Sequence, residues 1–186
     1  MTKPTYLWRR KLLRLIERVF AIIGFIFILY FSLFNLSVIA SYSMSPTLQG
    51  TDPSNGDWVL TEKWTYWFRN PQRWEIVTFH NKDGLQVMKR VVGLPGETLS
   101  INPKKLWVLV DDKPLAKPQH LDFLKYYAVG RLYTGRKMIV KDGYCVLGDY
   151  SRDSYDSRYS GPLYDKDIIG RAFFIVWPWH RIGFVR

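Results

Sequence analysis

The feature that most constrains this chain is a long apolar segment near its start, residues 19–40, which reads VFAIIGFIFILYFSLFNLSVIA. Its 22 residues include no charged side chain. As a helix the segment would span about 33 Å at about 1.5 Å per residue, which matches a hydrocarbon core of about 30 Å. The sequence therefore predicts a single transmembrane helix over residues 19–40.

Two other interpretations of this segment are less favourable. A cleaved signal peptide has an apolar region of only about 7–15 residues, although Ile39-Ala40-Ser41 has some likeness to a cleavage site. A buried core helix of this length would be unusual in a chain of 186 residues, which has room for one modest domain and an appendage. A permanent anchor is therefore the interpretation that we adopt.

The distribution of charge predicts how the anchor is oriented. The formal net charge is +11, and residues 1–18 hold six basic side chains against the single acidic Glu17. After the apolar segment, the next charged residue is Asp52. Because basic residues favour the cytoplasmic side of a span, residues 1–18 are predicted to be a cytoplasmic N-terminus and residues 41–186 an extracytoplasmic domain. The six basic residues are Lys3, Arg9, Arg10, Lys11, Arg14 and Arg18.

The composition limits the chemistry available to residues 41–186. Cys145 is the only cysteine, which excludes an intramolecular disulfide and a multi-thiolate zinc site. The three histidines, His80, His120 and His180, lack the close pairing of common metal motifs. We therefore expect no metal and no cofactor. Nucleic acid is not an expected partner, because an extracytoplasmic domain rarely meets it.

Residues 41–186 have the pattern of a β-rich domain. Short runs of β-branched and aromatic residues alternate with Gly, Pro, Asn and Asp, which typically separate strands. Asp83-Gly84, between two such runs, predicts a tight hairpin. One helical stretch is expected around residues 120–128. The candidate strands are 57–62, 75–80, 85–92, 106–110, 138–140, 143–147 and 168–177.

Two aromatic groups have more than one interpretation. They are Trp64–Phe68 and Trp177-Pro178-Trp179. They could pack in the protein core or be scattered surface aromatics, or they could form a belt at a membrane interface, where Trp and Tyr are enriched.

Three polar segments carry residues with catalytic potential. Residues 41–48 are rich in hydroxyl groups and directly follow the apolar segment. In residues 88–97 a lysine, Lys89, lies within an apolar strand pattern, where alternation places it on the face opposite Arg90. Residues 148–158 form a third segment, which on its own would be an ordinary polar loop.

Together these segments resemble bacterial type I signal peptidases, the family of serine/lysine-dyad leader peptidases. The chain has the family's Ser-x-Ser-Met-x-Pro-Thr-Leu box at 41–48 and a Gly-Asp strand at 56–60. It also has the Lys-Arg-Val-Val-Gly-Leu-Pro-Gly-Glu box at 89–97 and the Gly-Asp…Ser-x-Asp-Ser-Arg box at 148–158. The resemblance covers residues 19–186 and implies a mainly β fold, with an antiparallel β catalytic core, one N-terminal transmembrane helix and a small cap insertion at about 98–142.

The resemblance also implies a role for individual residues. Ser43 corresponds to the nucleophile and Lys89 to its general base, while the Ser41 hydroxyl helps to form the oxyanion hole. Ser45 corresponds to a variable position and is not chosen. Tyr42 and Met44 flank the nucleophile and are candidates for lining a substrate pocket, with Tyr42 standing where the family often has a small residue. The expected supporting residues are Ser154, which holds the lysine, and the pair formed by Asp156 and Arg158.

The implied chemistry is physically reasonable. A serine hydroxyl is a poor nucleophile without a base in hydrogen-bond reach, and serine–lysine pairs are a known variant of the catalytic triad. A lysine with its ordinary pKa of about 10.4 is protonated at neutral pH. Burial disfavours the charged form and lowers that pKa, so a lysine on an apolar strand face is a suitable base.

The resemblance implies a monomeric membrane endopeptidase that removes signal peptides from secreted preproteins. It would act at the outer face of the bacterial cytoplasmic membrane, and its partners would be signal-peptide-bearing preproteins and the lipid bilayer. Two alternatives stay open. One is a specialised relative that processes a dedicated substrate such as a conjugative pilin, and the other is a non-catalytic membrane scaffold.

Overall fold

The computed structural model describes residues 4–185. Lys3, one of the basic residues predicted to face the cytoplasm, lies outside this range. The chain divides after Phe34 into two compact units, a short N-terminal unit and a larger one that comprises residues 35–186.

The N-terminal unit is one long helix, α1 (Pro4–Leu33). Proline suits the first turn of a helix, because its missing N–H would have no partner there. Among the described residues, no helix combines the length and the hydropathy needed to cross a membrane.

The predicted helix over residues 19–40 is wrong in its C-terminal part. The helix ends at Leu33, and Phe34–Val38 forms a strand instead. The reason is a change of period, because the polar residues Asn35 and Ser37 alternate with apolar neighbours and alternation favours a strand. The apolar segment is therefore shared between a helix and a strand of the larger unit.

The larger unit contains eleven strands among the described residues. In chain order they are β1 (Phe34–Val38), β2 (Trp58–Glu62), β3 (Ile76–His80), β4 (Gln86–Gly93), β5 (Thr98–Asn102), β6 (Trp107–Val110), β7 (Lys113–Pro114), β8 (Met138–Ile139), β9 (Cys145–Leu147), β10 (Ile168–Trp177) and β11 (Gly183–Phe184). Two short helices, α2 (Thr65–Phe68) and α3 (Ser157–Ser160), complete the regular structure, together with several 3-10 turns. The expected mainly β architecture is confirmed.

These strands form two sheets. In the main sheet the order is β1-β2-β10-β3-β4-β9, and β11 pairs with β10. The second sheet has the order β7-β6-β5-β8 and is built from residues 98–139, within the predicted insertion. All the registered pairs of neighbouring strands are antiparallel.

Most local predictions for residues 41–186 agree with the structure, but one does not. All seven candidate strands overlap observed strands, and β3 and β4 form a hairpin with Gly84 at a φ of 75° in its turn. The predicted helix around residues 120–128 is wrong, since only Gln119–Leu121 forms a 3-10 turn there. The next residues pack individually instead: Leu121 and Leu124 enter the core, and the Tyr126 N–H donates to the Leu106 carbonyl.

Three apolar clusters hold the larger unit together. The largest joins the second sheet to the main sheet and contains Cys145, which is buried in a strand as expected. The other two lie against opposite faces of the main sheet, where Ile76 and Val77 are neighbours on β3 but belong to different clusters. Alternation along β4 likewise sends Met88 and Val91 into different clusters.

The close approach of Gly56 to the main chain near β1 gives a test of this packing. A Cβ atom at Gly56 would lie 1.7 Å from the Ile39 carbonyl oxygen. We expect Gly56→Ala to lower the free energy of unfolding by about 2 kcal/mol, because the backbone must shift to relieve the overlap. Chemical denaturation monitored by tryptophan fluorescence measures this. Gly183→Ala is the matched control, because nothing lies within 4 Å of a Cβ atom there, and equal losses in the two variants would contradict the proposed packing.

Candidate active site

The structure brings together Ser43 and Lys89, which are far apart in the sequence. Ser43 lies in a 3-10 turn, Tyr42–Met44, that follows β1, and Lys89 lies in the middle of β4. The Lys89 Nζ atom donates a hydrogen bond of 2.6 Å to Ser43 Oγ. The two side chains are therefore close enough for direct proton transfer.

Burial changes the acid–base properties of Lys89. Only 4% of the residue is exposed. Desolvation lowers the pKa of Lys89 to about 8, against the opposing effects of the Asp156 and Asp149 carboxylates, which raise it. About one-tenth of this lysine is consequently neutral at pH 7, and about half is neutral at pH 8.

The residues around Ser43 differ in exposure. The Ser41 and Ser43 hydroxyl oxygens lie 3.1 Å apart, so Ser41 is near the predicted oxyanion position. Tyr42 is half exposed, whereas Met44 is buried in a core cluster with Ile39. A contribution of Tyr42 or Met44 to a substrate pocket stays a prediction.

The main chain at Ser43 is held by the segment that begins at Gly148. The Tyr150 N–H donates to the Ser43 carbonyl at 3.1 Å. A Cβ atom at Gly148 would lie 2.5 Å from that carbonyl oxygen and 2.1 Å from Ser154 Oγ. Only glycine therefore fits between Ser43 and Ser154, a requirement that sequence reasoning missed although Gly148 begins one of the polar segments.

The predicted supporting residues form one buried cluster. Ser154 Oγ donates to Asp156 Oδ2 at 2.8 Å, and the Gly148 N–H donates to the same oxygen at 3.0 Å. Arg158 holds both carboxylate oxygens of Asp156, with Nε and Nη2 each at 2.8 Å. The hydrogen bond of the Ser154 hydroxyl thus runs to Asp156, and its predicted contact with Lys89 stays a prediction.

A second buried ion pair supports the loop after Ser43, and sequence reasoning missed it. Arg90 donates to Asp149 through Nε at 2.8 Å and through Nη2 at 2.6 Å. The Thr47 hydroxyl donates to the same carboxylate at 2.5 Å. The sequence feature that could have indicated this pair is the position of Arg90, which directly follows Lys89 and lies on the opposite strand face.

The same loop is held from another side by Arg181. Its Nε donates to Asp57 Oδ1 at 2.7 Å, and its Nη2 donates to the Thr47 carbonyl at 3.0 Å. The Gln49 N–H donates to Asp57 Oδ2 at 2.8 Å. These bonds fix the chain just after Ser43. Within residues 4–185 no group of histidine, cysteine, aspartate or glutamate side chains is arranged to hold a metal ion.

A serine hydroxyl in contact with a buried lysine, on a mainly antiparallel β scaffold, is the arrangement of serine peptidases that use lysine as the base. Comparison with known proteins agrees with this class. A family model described as "Signal peptidase, peptidase S26" matches residues 12–177. The chain belongs to this signal peptidase family.

Individual relatives support the same assignment. The chain is 34% identical over 155 residues to a probable signal peptidase I-2 of Synechocystis sp., covering 78% of this chain and 64% of the relative. It is 35% identical over 137 residues to signal peptidase I V of Bacillus subtilis, covering 69% of this chain and 77% of the relative. A crystal structure of a signal peptidase I from Enterococcus faecalis V583 has 25% identity and covers 55% of this chain and 97% of that one, but its TM-score of 0.42 is too low to support the assignment.

The lowered pKa of Lys89 predicts the pH dependence of the site. Since only the neutral amine can accept the Ser43 proton, acylation of Ser43 by a small serine-reactive probe should rise about tenfold per pH unit below the midpoint. The rate should level off above a midpoint of about 8. Stopped-flow or quench measurements of labelling between pH 5.5 and 9.5 provide the profile.

The matched control is Lys82→Ala, which removes an exposed lysine from the turn between β3 and β4. This variant should keep the same midpoint. A labelling rate that does not change with pH across this range would show that Lys89 is not the base.

Proposed function

We propose that this chain is a membrane-anchored serine endopeptidase that removes N-terminal signal peptides from secreted preproteins. The observation that carries the proposal is the 2.6 Å contact between Ser43 Oγ and the Nζ atom of Lys89, a lysine with a pKa lowered by burial. Membership of the signal peptidase family supports the same reaction and the same class of substrate.

The first chemical step forms an acyl-enzyme. Neutral Lys89 accepts the Ser43 hydroxyl proton while Ser43 Oγ attacks the scissile carbonyl carbon. The negative charge that develops on the carbonyl oxygen is stabilised by the Ser43 N–H and the Ser41 hydroxyl, as in other oxyanion holes. The protonated Lys89 then donates its proton to the leaving amine, and the mature protein departs.

The second step releases the signal peptide. Neutral Lys89 takes a proton from a water molecule, which attacks the ester carbonyl carbon of the acylated Ser43. Collapse of the tetrahedral intermediate breaks the ester, and the proton returns from Lys89 to Ser43 Oγ. The buried Asp156–Arg158 and Arg90–Asp149 pairs hold the surrounding segments in place, so little reorganisation is needed during the reaction.

The arrangement of the main sheet supports a substrate that binds in an extended conformation. β1 lies at one end of the strand order, and β9 pairs with β4 only from Arg90 onward. β1 and residues 86–89 of β4 thus each have an edge without a strand partner in the described sheet. Such edges accept an added peptide strand, and both edges lead toward Ser43 and Lys89. Cleavage is expected after small residues at positions −3 and −1.

Membrane attachment through α1 is part of the proposal. Between Val19 and Leu33 the helix has no charged residue, and most of its large apolar side chains are exposed all around it. A helix that is apolar on every side needs an apolar environment. The basic residues before it favour a cytoplasmic N-terminus, with residues 41–186 on the outer side.

Exposed aromatic residues of the larger unit support a site near the membrane surface. Trp67, Phe68, Trp177 and Trp179 are each more than half exposed, and this exposure contradicts the alternative that they are core residues. Aromatic side chains of this kind favour the interface between lipid and water. They would hold the site close to the depth at which signal-peptide cleavage sites leave the bilayer.

The catalytic assignment predicts how two variants behave. Ser43→Ala removes the nucleophile and should abolish cleavage of a model preprotein in liposomes. Lys89→Ala should lower kcat by about 10²–10⁴, the usual range for the loss of a general base. Product release is measured by gel or mass spectrometry, with Lys82→Ala as the control that keeps its activity, and circular dichroism confirms folding.

The outcomes distinguish the open alternatives. Near-normal cleavage by Lys89→Ala would show that the dyad is wrong. A wild-type protein that labels at Ser43 but leaves ordinary preproteins intact would be a specialised relative, such as a pilin peptidase. A wild-type protein that neither cleaves nor labels would be a non-catalytic scaffold.

The proposed anchor predicts that the full chain behaves as an integral membrane protein. Wild type should stay in the membrane pellet after alkaline carbonate extraction, whereas a variant with both Ile22→Asp and Ile26→Asp should be released, because two carboxylates in an apolar helix oppose insertion. Ile139→Asp and Ile182→Asp together provide a matched control, since both side chains are exposed in the larger unit. Release of the wild type by carbonate would contradict the anchor.

The orientation of the chain across the membrane can be tested in intact cells. The native Cys145 is buried, so it contributes little background labelling. A membrane-impermeant maleimide added to intact cells should label Ser54→Cys and should spare Lys11→Cys. The opposite pattern would show that the topology is inverted.

A further inference from the structure

A polar side-chain contact crosses between the two open strand edges. Gln86, at the start of β4, donates through Nε2 to Asn35 Oδ1 and to Ser37 Oγ, each at 2.7 Å. Ser37 Oγ donates to the same Asn35 oxygen at 2.8 Å. Each of the three side chains, which we call the Gln86 bridge, is therefore hydrogen-bonded to the other two.

The dimensions of the Gln86 bridge match the room needed by one extended peptide. Covalent geometry and the hydrogen bond let Gln86 and Asn35 reach across a Cα separation of up to about 11 Å. A strand placed between two others requires about 9.6 Å between its neighbours, since adjacent strands lie about 4.8 Å apart. The reach of the Gln86 bridge is therefore sufficient to span a groove that holds one extended peptide.

The position of Gln86 relative to the dyad identifies which substrate residue it meets. Gln86 precedes Lys89 by three residues, which corresponds to about 10 Å along a strand. An extended substrate has a similar rise, so if its −1 residue lies beside Lys89, its −4 residue lies beside Gln86. Because side chains alternate between faces, Gln86 and Lys89 project to opposite faces of β4. The −4 side chain accordingly lies on the Gln86 face, and the −1 and −3 side chains share the opposite face.

The chemistry of the Gln86 bridge determines what this position favours. The neighbouring groove residues Leu36 and Val87 are apolar and at least partly exposed, so the Gln86 bridge is the polar part of this region. A large apolar side chain at −4 would separate Gln86 from Asn35 and Ser37 and leave their hydrogen bonds unreplaced. A polar side chain can replace those bonds. An apolar substrate therefore binds less favourably, because the hydrogen bonds that it breaks are not replaced.

We propose that Gln86, oriented by Asn35 and Ser37, is a specificity-determining residue that selects a hydrogen-bonding side chain at substrate position −4. This inference rests on the proposed signal-peptide cleavage and adds a position to it. It concerns discrimination between substrates, because Gln86 does not contact the reacting groups.

The test uses two model preproteins that differ only in having Asn or Leu at −4, side chains of similar size. Wild type should cleave the Asn substrate with a kcat/KM roughly five- to tenfold higher. Gln86→Leu should reduce this ratio to about one or invert it, mainly through KM. Ser37→Ala should give an intermediate ratio, and the effects of Ser37→Ala and Gln86→Leu should not add, since the residues act together.

Controls separate this inference from the proposed function. Gln119→Leu makes the same change at an exposed glutamine in the second sheet region and should keep the wild-type ratio. A matching Asn and Leu pair at position +3 should show no dependence on Gln86. Labelling of Ser43 by a small probe in Gln86→Leu reports whether the dyad is intact.

Four results would overturn the inference. Equal cleavage of both −4 substrates by wild type, or an unchanged ratio in Gln86→Leu with normal labelling, would remove Gln86 from substrate selection while leaving the endopeptidase function in place. A Gln86-dependent ratio at +3 would place the contact on the wrong side of the scissile bond. Failure of wild type to cleave any preprotein would overturn the proposed function and this inference together.

Discussion

The desolvation of one amine is the constraint on which the rest of the structure depends. Lys89 must lose most of its hydration for its pKa to fall to about 8, and that requires a strand with neighbours on every side of the side chain. Two carboxylates nearby oppose the shift, because each favours the charged amine. Each of these carboxylates is already paired with a buried arginine, Asp156 with Arg158 and Asp149 with Arg90. Such pairing limits how far their charge can restore the proton to Lys89.

The two buried ion pairs also explain how a short turn can present a nucleophile with a defined geometry. Ser43 lies in a single 3-10 turn that has little stability of its own. Its carbonyl is held by the Tyr150 N–H, and the following loop is held through Thr47 by Asp149 and Arg181. Breaking a buried pair of this kind typically costs about 3–5 kcal/mol. The pairs therefore contribute to the position of the site as much as to the stability of the fold.

Several elements could be predicted from the sequence because their signals are local. Alternation placed Lys89 and Arg90 on opposite faces of β4, and Asp83-Gly84 indicated the hairpin that precedes them. The family boxes assigned Ser43, Lys89, Ser154 and the pair Asp156–Arg158 to one candidate site. The helix expected around residues 120–128 failed, because tertiary contacts of individual side chains outweighed a weak local propensity.

What the sequence determined by itself was the class of fold, the family and the candidates for the reacting groups. The alternation around Asn35 and Ser37 favours a strand, but the tertiary structure decided where the apolar segment changes from helix to strand, because the partner of that strand, β2, begins twenty residues after β1 ends. Only the tertiary structure placed Gly148 against Ser43, joined Arg90 to Asp149, and brought Gln86 opposite Asn35. Each of these contacts links residues that are distant in the chain. Burial and hydrogen-bond geometry depend on such distant neighbours, and a local sequence pattern does not specify them.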